Sequence, residues 1–188
     1  MHTKPLTHLA AVNLGLDICA ALAACRRMGC LYVDLKPENI FPSETQGYRI
    51  GDLGFLPLSS LKYASLPEKY RSSYTAPEVS DALSTLNDTM DVYALGLILY
   101  QVYNNGQLPV ATDEGIPAPL YADYELTEIL NKACAFKPED RYQTPADFRQ
   151  ALVVYMQKNE ISDAMIVAPM DTGDAVEPTE ENLEIPAD

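Results

Sequence analysis

Tyr32–Asn39 reads Tyr-Val-Asp-Leu-Lys-Pro-Glu-Asn, and it places an acid (Asp34), a base (Lys36) and a carboxamide (Asn39) within six residues. The proline in the middle restricts the backbone between the base and the carboxamide. A second acidic turn, Gly-Asp-Leu-Gly over residues 51–54, follows thirteen residues after the carboxamide. Oxygen-bearing side chains on two neighbouring loops, together with a lysine, suit magnesium and phosphate chemistry.

The composition is that of a globular protein with a strongly acidic C-terminal end. The 188 residues are 47% apolar and 21% charged, enough for one domain with a substantial core. The net charge is −14, but nine acidic residues and no basic residue fall in residues 160–188, which leaves −5 for residues 1–159. We expect residues 160–188 to be a mostly disordered acidic tail. This charge balance predicts no nucleic-acid partner and disfavours anionic membrane surfaces.

The cysteines favour a reducing compartment over a metal site. Cys19, Cys25, Cys30 and Cys134 form no C-x-x-C pair, and both histidines lie near the N-terminus, so no zinc site is expected. Two of these cysteines fall in a helical pattern, which indicates reduced core thiols and a cytoplasmic location. The sequence begins without a signal-peptide pattern, and its longest near-apolar run, residues 93–100, is too short to span a bilayer.

Apolar periodicity predicts a mainly helical protein with a few short strands near its N-terminal end. Residues 1–8 are expected to lead in loosely. Helices are predicted over about 9–28 (with Gly29 as its C-cap), from 89 to about 103, over 126–134 and from the cap Thr144 to about 156. Extended pieces are predicted at 31–32, 40–41 and 48–50, the last two joined by a turn over 43–47, while residues 55–74 show no clean period and are predicted to be irregular.

The order of several motifs resembles the eukaryotic-type protein kinases. These motifs are Asp34–Asn39 as the catalytic loop, Asp52-Leu53-Gly54 in place of Asp-Phe-Gly, Ala76-Pro77-Glu78, the Asp91–Gly96 helix motif, and Arg141 as the partner of Glu78. The resemblance covers roughly residues 9–157. It implies the helical C-terminal lobe of the kinase-like fold, with a small β-hairpin near the catalytic loop and the N-terminal β-lobe absent. The implied division is a lead-in at 1–8, the lobe at 9–158 and the tail at 160–188.

The resemblance implies a role for each candidate residue. Asp34 would accept the proton of the substrate hydroxyl, and Lys36 would balance the charge of the transferring phosphate of ATP. Asn39 and Asp52 would hold Mg²⁺, and Phe41 would form the apolar floor under adenine. A lysine two residues after the aspartate is typical of Ser/Thr-directed kinases, so the implied substrate is a protein with a Ser or Thr acceptor.

Three positions depart from the family pattern. Tyr32-Val33 replaces the His-Arg before the catalytic aspartate, so the loop has no arginine to clamp a phosphorylated activation loop. We therefore predict that activity does not depend on activation-loop phosphorylation. Arg71 replaces a threonine near the substrate, with Ser72 and Ser73 beside it, and Leu53 replaces the phenylalanine of Asp-Phe-Gly.

The groups that grip ATP from above are not found in the sequence. Only about eight residues precede the first predicted helix, and they contain neither a Gly-rich loop nor a strand lysine. We expect the chain alone to bind ATP weakly and to be inactive, with an N-lobe truncated, encoded upstream or supplied in trans, and with an exposed apolar patch around Phe41 and Leu53. The alternatives are a pseudokinase-like protein-interaction module or a truncated non-functional fragment.

Overall fold

A computed structural model describes residues 6–43, 47–51, 54–58, 66–80, 86–110, 115–161 and 163–164. Within these residues four α-helices dominate: α1 (His8–Arg27), α2 (Asp88–Val102), α3 (Tyr124–Ala133) and α4 (Pro145–Lys158). Four short strands form two antiparallel pairs: β1 (Cys30–Tyr32) pairs with β4 (Phe55–Pro57), and β2 (Ile40–Ser43) pairs with β3 (Gly47–Ile50). The predicted mainly helical architecture with a small hairpin is confirmed.

The helix ends follow the capping residues. Thr7 caps α1, because its Oγ1 accepts the Ala10 N–H at 3.1 Å, and the helix ends before Gly29, which adopts φ = +79°. Helix α4 starts with a complete capping box in which Thr144 and Asp147 bind each other's backbone N–H groups. The predicted starts of α1 and α4 therefore hold to within one residue.

The core is built around α2, which is buried along almost its whole length. Helix α3 approaches it closely at Gly96, where an added Cβ would lie 2.7 Å from the Cys134 Sγ and 2.9 Å from the Ala133 Cβ. Helices α1 and α4 pack on each other and on α2. Helix α1 also packs on β1 and β3, so the helical body supports the strands on either side of Asp34–Asn39.

Helix α1 is the one helix in the described part of the chain that is long and apolar enough to cross a membrane by length and composition. Half of its most apolar 18-residue window is buried inside the protein, so these two criteria are weak evidence for a membrane span. The expectation that no segment is long enough to span a bilayer was based on residues 93–100, because Asn13 and Asp17 interrupt the apolar residues of α1.

The chain returns to the start of α1 after α4. The Tyr155 hydroxyl donates to Asp123 Oδ2 at 2.7 Å and lies 3.1 Å from His8 Nε2, and Asp123 Oδ1 caps α3 by accepting the Leu126 N–H at 2.8 Å. The His8 backbone N–H donates to the Ala164 carbonyl at 3.0 Å. The start of α1, the start of α3 and the segment after α4 therefore meet at one end of the helical body.

The prediction that residues 55–74 are irregular was wrong at its start. Phe55–Pro57 is strand β4, with Leu56 opposite Leu31 of β1. A three-residue strand is too short to show a period, so only its pairing partner reveals it. Residues 59–65 of that segment, 44–46 of the predicted turn, 1–5 of the lead-in, and 162 and 165–188 of the tail lie outside the described residues.

Candidate active site

Three of the predicted site residues form one hydrogen-bonded group directly after β1. The Lys36 Nζ donates to Asp34 Oδ1 at 2.9 Å. The Asn39 Nδ2 donates both to Asp34 Oδ2 at 2.8 Å and to the Asp34 backbone carbonyl at 2.7 Å. These two partners hold the Asp34 carboxylate in one orientation. The residue is only 8% exposed.

The backbone of the loop explains why these three side chains converge. Lys36 is extended, and Pro37 opens a short 3₁₀ turn that runs to Asn39. The Asn39 N–H donates to the Lys36 carbonyl at 2.9 Å, which closes that turn and directs the carboxamide back to Asp34. A proline suits this first position because no N–H is needed there.

The second loop touches Asp34 through a glycine. The Val33 N–H donates to the Gly54 carbonyl at 2.8 Å, and an added Cβ on Gly54 would lie 2.6 Å from the Asp34 Cβ. Gly54 also has φ = +106°, a conformation that L side chains rarely adopt. Gly54 belongs to the Asp52-Leu53-Gly54 motif, but no role was predicted for it from the sequence. Asp52 and Leu53, two of its motif residues, lie outside the described residues.

Asp91 of helix α2 accepts a hydrogen bond from the Tyr32 backbone, at the start of the loop. This carboxyl group is 3% exposed, and burial raises its pKa well above the usual value. The neighbouring Asp88 raises that pKa further, while a hydrogen bond from the Tyr32 backbone N–H opposes the rise. Tyr32 itself is fully buried, with its ring edge-to-face against Phe55 at 5.1 Å.

Phe41 lies on the hairpin beside the three-residue group. It pairs with Arg49 across β2 and β3, and its side chain is 52% exposed. An added Cβ on Gly51 would lie 3.1 Å from Phe41 Cε2, and the Gly51 N–H donates to the Asn39 carbonyl at 2.8 Å. The exposed ring therefore borders the same turn as Asn39.

The segment of residues 66–80 packs against the other side of the loop. A cavity of about 10 Å³, room for about one water, separates Val33 and Leu35 from Ser72 and Thr75 and is also lined by Asp91. Arg71, which stands where the resemblance has a threonine, is exposed, and its Nε lies 3.4 Å from the Leu66 carbonyl.

Arg141 ties this segment to the helical body, as predicted. Its guanidinium binds both oxygens of Glu78 at 2.8 Å. The other three N–H groups donate to the carbonyls of Ala135, Thr89 and Phe136, at 2.7, 3.1 and 2.9 Å. All five donors of this 2% exposed side chain are thus used, and the guanidinium also lies 4.6 Å from the centre of the Tyr93 ring.

Comparisons with known proteins match most of the chain. A family model described as "Protein kinase domain" matches residues 2–162. The chain is 33% identical to the serine/threonine-protein kinase Pkn1 of Myxococcus xanthus over 181 residues, covering 82% of this chain and 25% of that relative. It is 30% identical to the serine/threonine-protein kinase PknB of Mycobacterium tuberculosis over 173 residues, covering 81% and 27%. The chain thus spans about a quarter of the length of these curated relatives.

Proposed function

The chain belongs to the protein kinase family, and from this premise we propose that it is the C-terminal lobe of a serine/threonine kinase. In the proposed reaction the γ-phosphate of ATP passes to a Ser or Thr hydroxyl of a protein substrate, with Asp34 as the base. The observation that carries this proposal is the closed group of Asp34, Lys36 and Asn39, in which one buried carboxylate is oriented by a cation and a carboxamide.

The arrangement accounts for the two tasks that phosphoryl transfer sets the protein. The first is to align the attacking hydroxyl, and a carboxylate fixed by two partners offers its free lone pairs in a defined direction. The second is to balance charge on the moving phosphate. Lys36 lies 2.9 Å from Asp34, so its ammonium is already beside the place where the acceptor oxygen would meet the phosphate.

The donor set fits a magnesium ion. Asp34 uses both amide hydrogens of Asn39, which leaves Asn39 Oδ1 as the atom for a metal, and magnesium prefers oxygen ligands. Asp52 is the proposed second ligand. Bound with ATP, magnesium would supply positive charge against the phosphate oxygens. The exposed ring of Phe41 is proposed as the floor under adenine, because it borders the same turn as Asn39.

Full activity is proposed to need a β-lobe, either encoded upstream or supplied by another chain, because the sequence shows no Gly-rich loop or strand lysine to hold ATP against the proposed floor at Phe41. A cytoplasmic location is part of the proposal. It is supported by the four cysteines, all of which are free thiols.

The test compares the 188-residue chain with the same chain joined to the β-lobe of a serine/threonine kinase relative. Transfer of labelled phosphate from magnesium-ATP to Ser/Thr peptides is measured for the unchanged protein, for Asp34→Asn and for the exposed control Glu139→Gln. We expect transfer only with the β-lobe, a loss of about 10²-fold or more in Asp34→Asn, and no change in the control. Equal transfer by Asp34→Asn would refute the role of Asp34, and no transfer by any folded form would favour an interaction module.

A further inference from the structure

Two cysteines flank the turn that connects α1 to β1. Cys25 lies in the last turns of α1 and Cys30 opens β1, with Gly29 at φ = +79° between them. The Cys30 thiol donates to the Cys25 backbone carbonyl, with the Sγ 3.2 Å from the oxygen. The positive φ of Gly29 reverses the chain sharply, so that the Cys30 thiol lies against the backbone of Cys25, five residues earlier.

The surroundings give the two thiols different roles. Cys25 is 3% exposed, whereas Cys30 is half-buried and reachable by a small oxidant. Burial and, to a lesser extent, the neighbouring Cys30 and Asp91 together raise the pKa of Cys25 to about 11. The Cys30 thiol therefore lies beside the residue whose sulfur it would join, since its Sγ is 3.2 Å from the Cys25 carbonyl oxygen. Cys19 and Cys134 are both buried, and burial raises the pKa of each thiol.

We propose that Cys25 and Cys30 are a peroxide-sensitive thiol pair that closes to a reversible disulfide at the base of the catalytic loop. In the first step the Cys30 sulfur attacks hydrogen peroxide, the O–O bond breaks, and Cys30 becomes a sulfenic acid with release of water. In the second step the Cys25 sulfur attacks the Cys30 sulfur, displacing hydroxide, which takes the Cys25 proton and leaves as water. Two thiols thus lose two electrons to one peroxide, and a dithiol reductant restores them.

The position of the pair gives the disulfide a consequence for the site. Cys30 pairs with Pro57 across β1 and β4, and the Gly29 carbonyl accepts the Leu58 N–H at 2.9 Å. The same strand β1 runs into the loop that carries Asp34. A bond between Cys25 and Cys30 would therefore pull on the strand that positions Asp34. Formation of the disulfide does not rest on the proposed kinase function, and it is measured without any assay of activity.

The experiment oxidises the folded chain with hydrogen peroxide, blocks remaining thiols with iodoacetamide and maps tryptic peptides. Arg26 and Arg27 lie between the two cysteines, so trypsin separates them unless a disulfide joins the fragments. We expect a joined pair of peptides that is lighter by two hydrogens than the sum of its parts and that separates on reduction. Free thiols should fall from four to two. Cys134→Ser and Cys19→Ser should keep the joined species. The Cys19→Ser control is needed because Cys19 and Cys25 lie in the same tryptic peptide, so the peptide mass alone does not tell which of them is bonded to Cys30.

Cys25→Ser and Cys30→Ser should each abolish the joined species while circular dichroism shows that the helices remain. Should the buried Cys25→Ser fail to fold, the half-buried Cys30→Ser carries the test. Oxidation of Cys30 to sulfinic or sulfonic acid without a joined species in the unchanged protein would overturn the proposal. A joined species that persists in folded Cys25→Ser would equally overturn it, since Cys30 would then pair with Cys19.

Discussion

At the scale of residues, Asp34 is positioned by contacts with Lys36, Asn39 and Gly54. Its spacing from Lys36 and Asn39 predicted that the three residues share one loop, and the hydrogen bonds that join them lie within one turn of the backbone. The contact with Gly54 was not predictable in the same way, because it joins residues twenty positions apart through backbone atoms. Spacing in the sequence predicts contacts within one loop, but it does not predict contacts between loops that are distant in the chain.

The contact between Gly54 and Asp34 predicts a cost for adding one methyl group. Gly54→Ala should destabilise the protein by about 1–3 kcal/mol more than Gly115→Ala, through overpacking against Asp34. Gly115 is the matched control, because its φ of +109° is close to the +106° of Gly54 while no atom lies within 4 Å of its added Cβ. Urea unfolding measures both variants, and equal costs would show that the Asp34 contact relaxes freely.

The five hydrogen bonds of Arg141 predict a large loss on truncation. Arg141→Ala should lower the free energy of unfolding by about 3–5 kcal/mol, because it leaves the Glu78 carboxylate and three carbonyls without their donor. Arg141→Lys should also destabilise, since an ammonium cannot replace a fork of five N–H groups. The exposed Arg149→Ala on α4 is the control, and an unchanged melting temperature for Arg141→Ala would contradict the assignment.

At the scale of elements, the helices were predictable and strand β4 was not. The apolar period of α1, α3 and α4 and the caps at Thr7, Asp123 and Thr144 lie within each segment, so the sequence carries them locally. Strand β4 depends on β1, which lies more than twenty residues earlier. A three-residue element formed by such a partner leaves no periodic signal of its own.

Gly96 of α2 and Gly15 of α1 are both closely packed, but the atoms near Gly96 are more rigid than those near Gly15. Gly96→Ala should destabilise despite a gain in helix propensity of about 1 kcal/mol, because its new Cβ meets the Ala133 Cβ at 2.9 Å. Gly15→Ala should be close to neutral, because its Cβ meets the ends of the Leu152 and Leu99 side chains, which are able to move. The midpoints of urea unfolding compare the two, and a more costly Gly15→Ala would reverse the argument.

At the scale of the whole molecule, His8 links pH to stability at the end where α1, α3 and α4 meet. Burial lowers the pKa of His8 below 6.5, and the nearby Asp123 opposes that shift. The unfolded chain therefore takes up a proton at a pH where the folded protein does not. The contribution of neutral His8 to the free energy of unfolding is fully present above pH 6.5. It is lost as the pH falls from 6.5 to the pKa of His8 in the folded protein.

This predicts that the melting temperature of the unchanged protein falls more between pH 7.5 and pH 5.5 than that of His8→Gln. The glutamine keeps a donor toward the Tyr155 hydroxyl but does not titrate. Comparing the two proteins removes the contribution of the many carboxylates, which both share. Parallel curves would show that His8 has the same proton affinity in the folded and unfolded chains.

The hydrogen bond from the His8 N–H to the Ala164 carbonyl has a consequence for modular construction. Because residues 8 and 164 are neighbours, the chain enters and leaves the unit between them at the same place on its surface. Such a unit fits into a surface loop of a host protein without stretching either junction. Two proteins fused before residue 6 and after residue 164 would likewise start side by side, which places them at a high effective concentration toward each other.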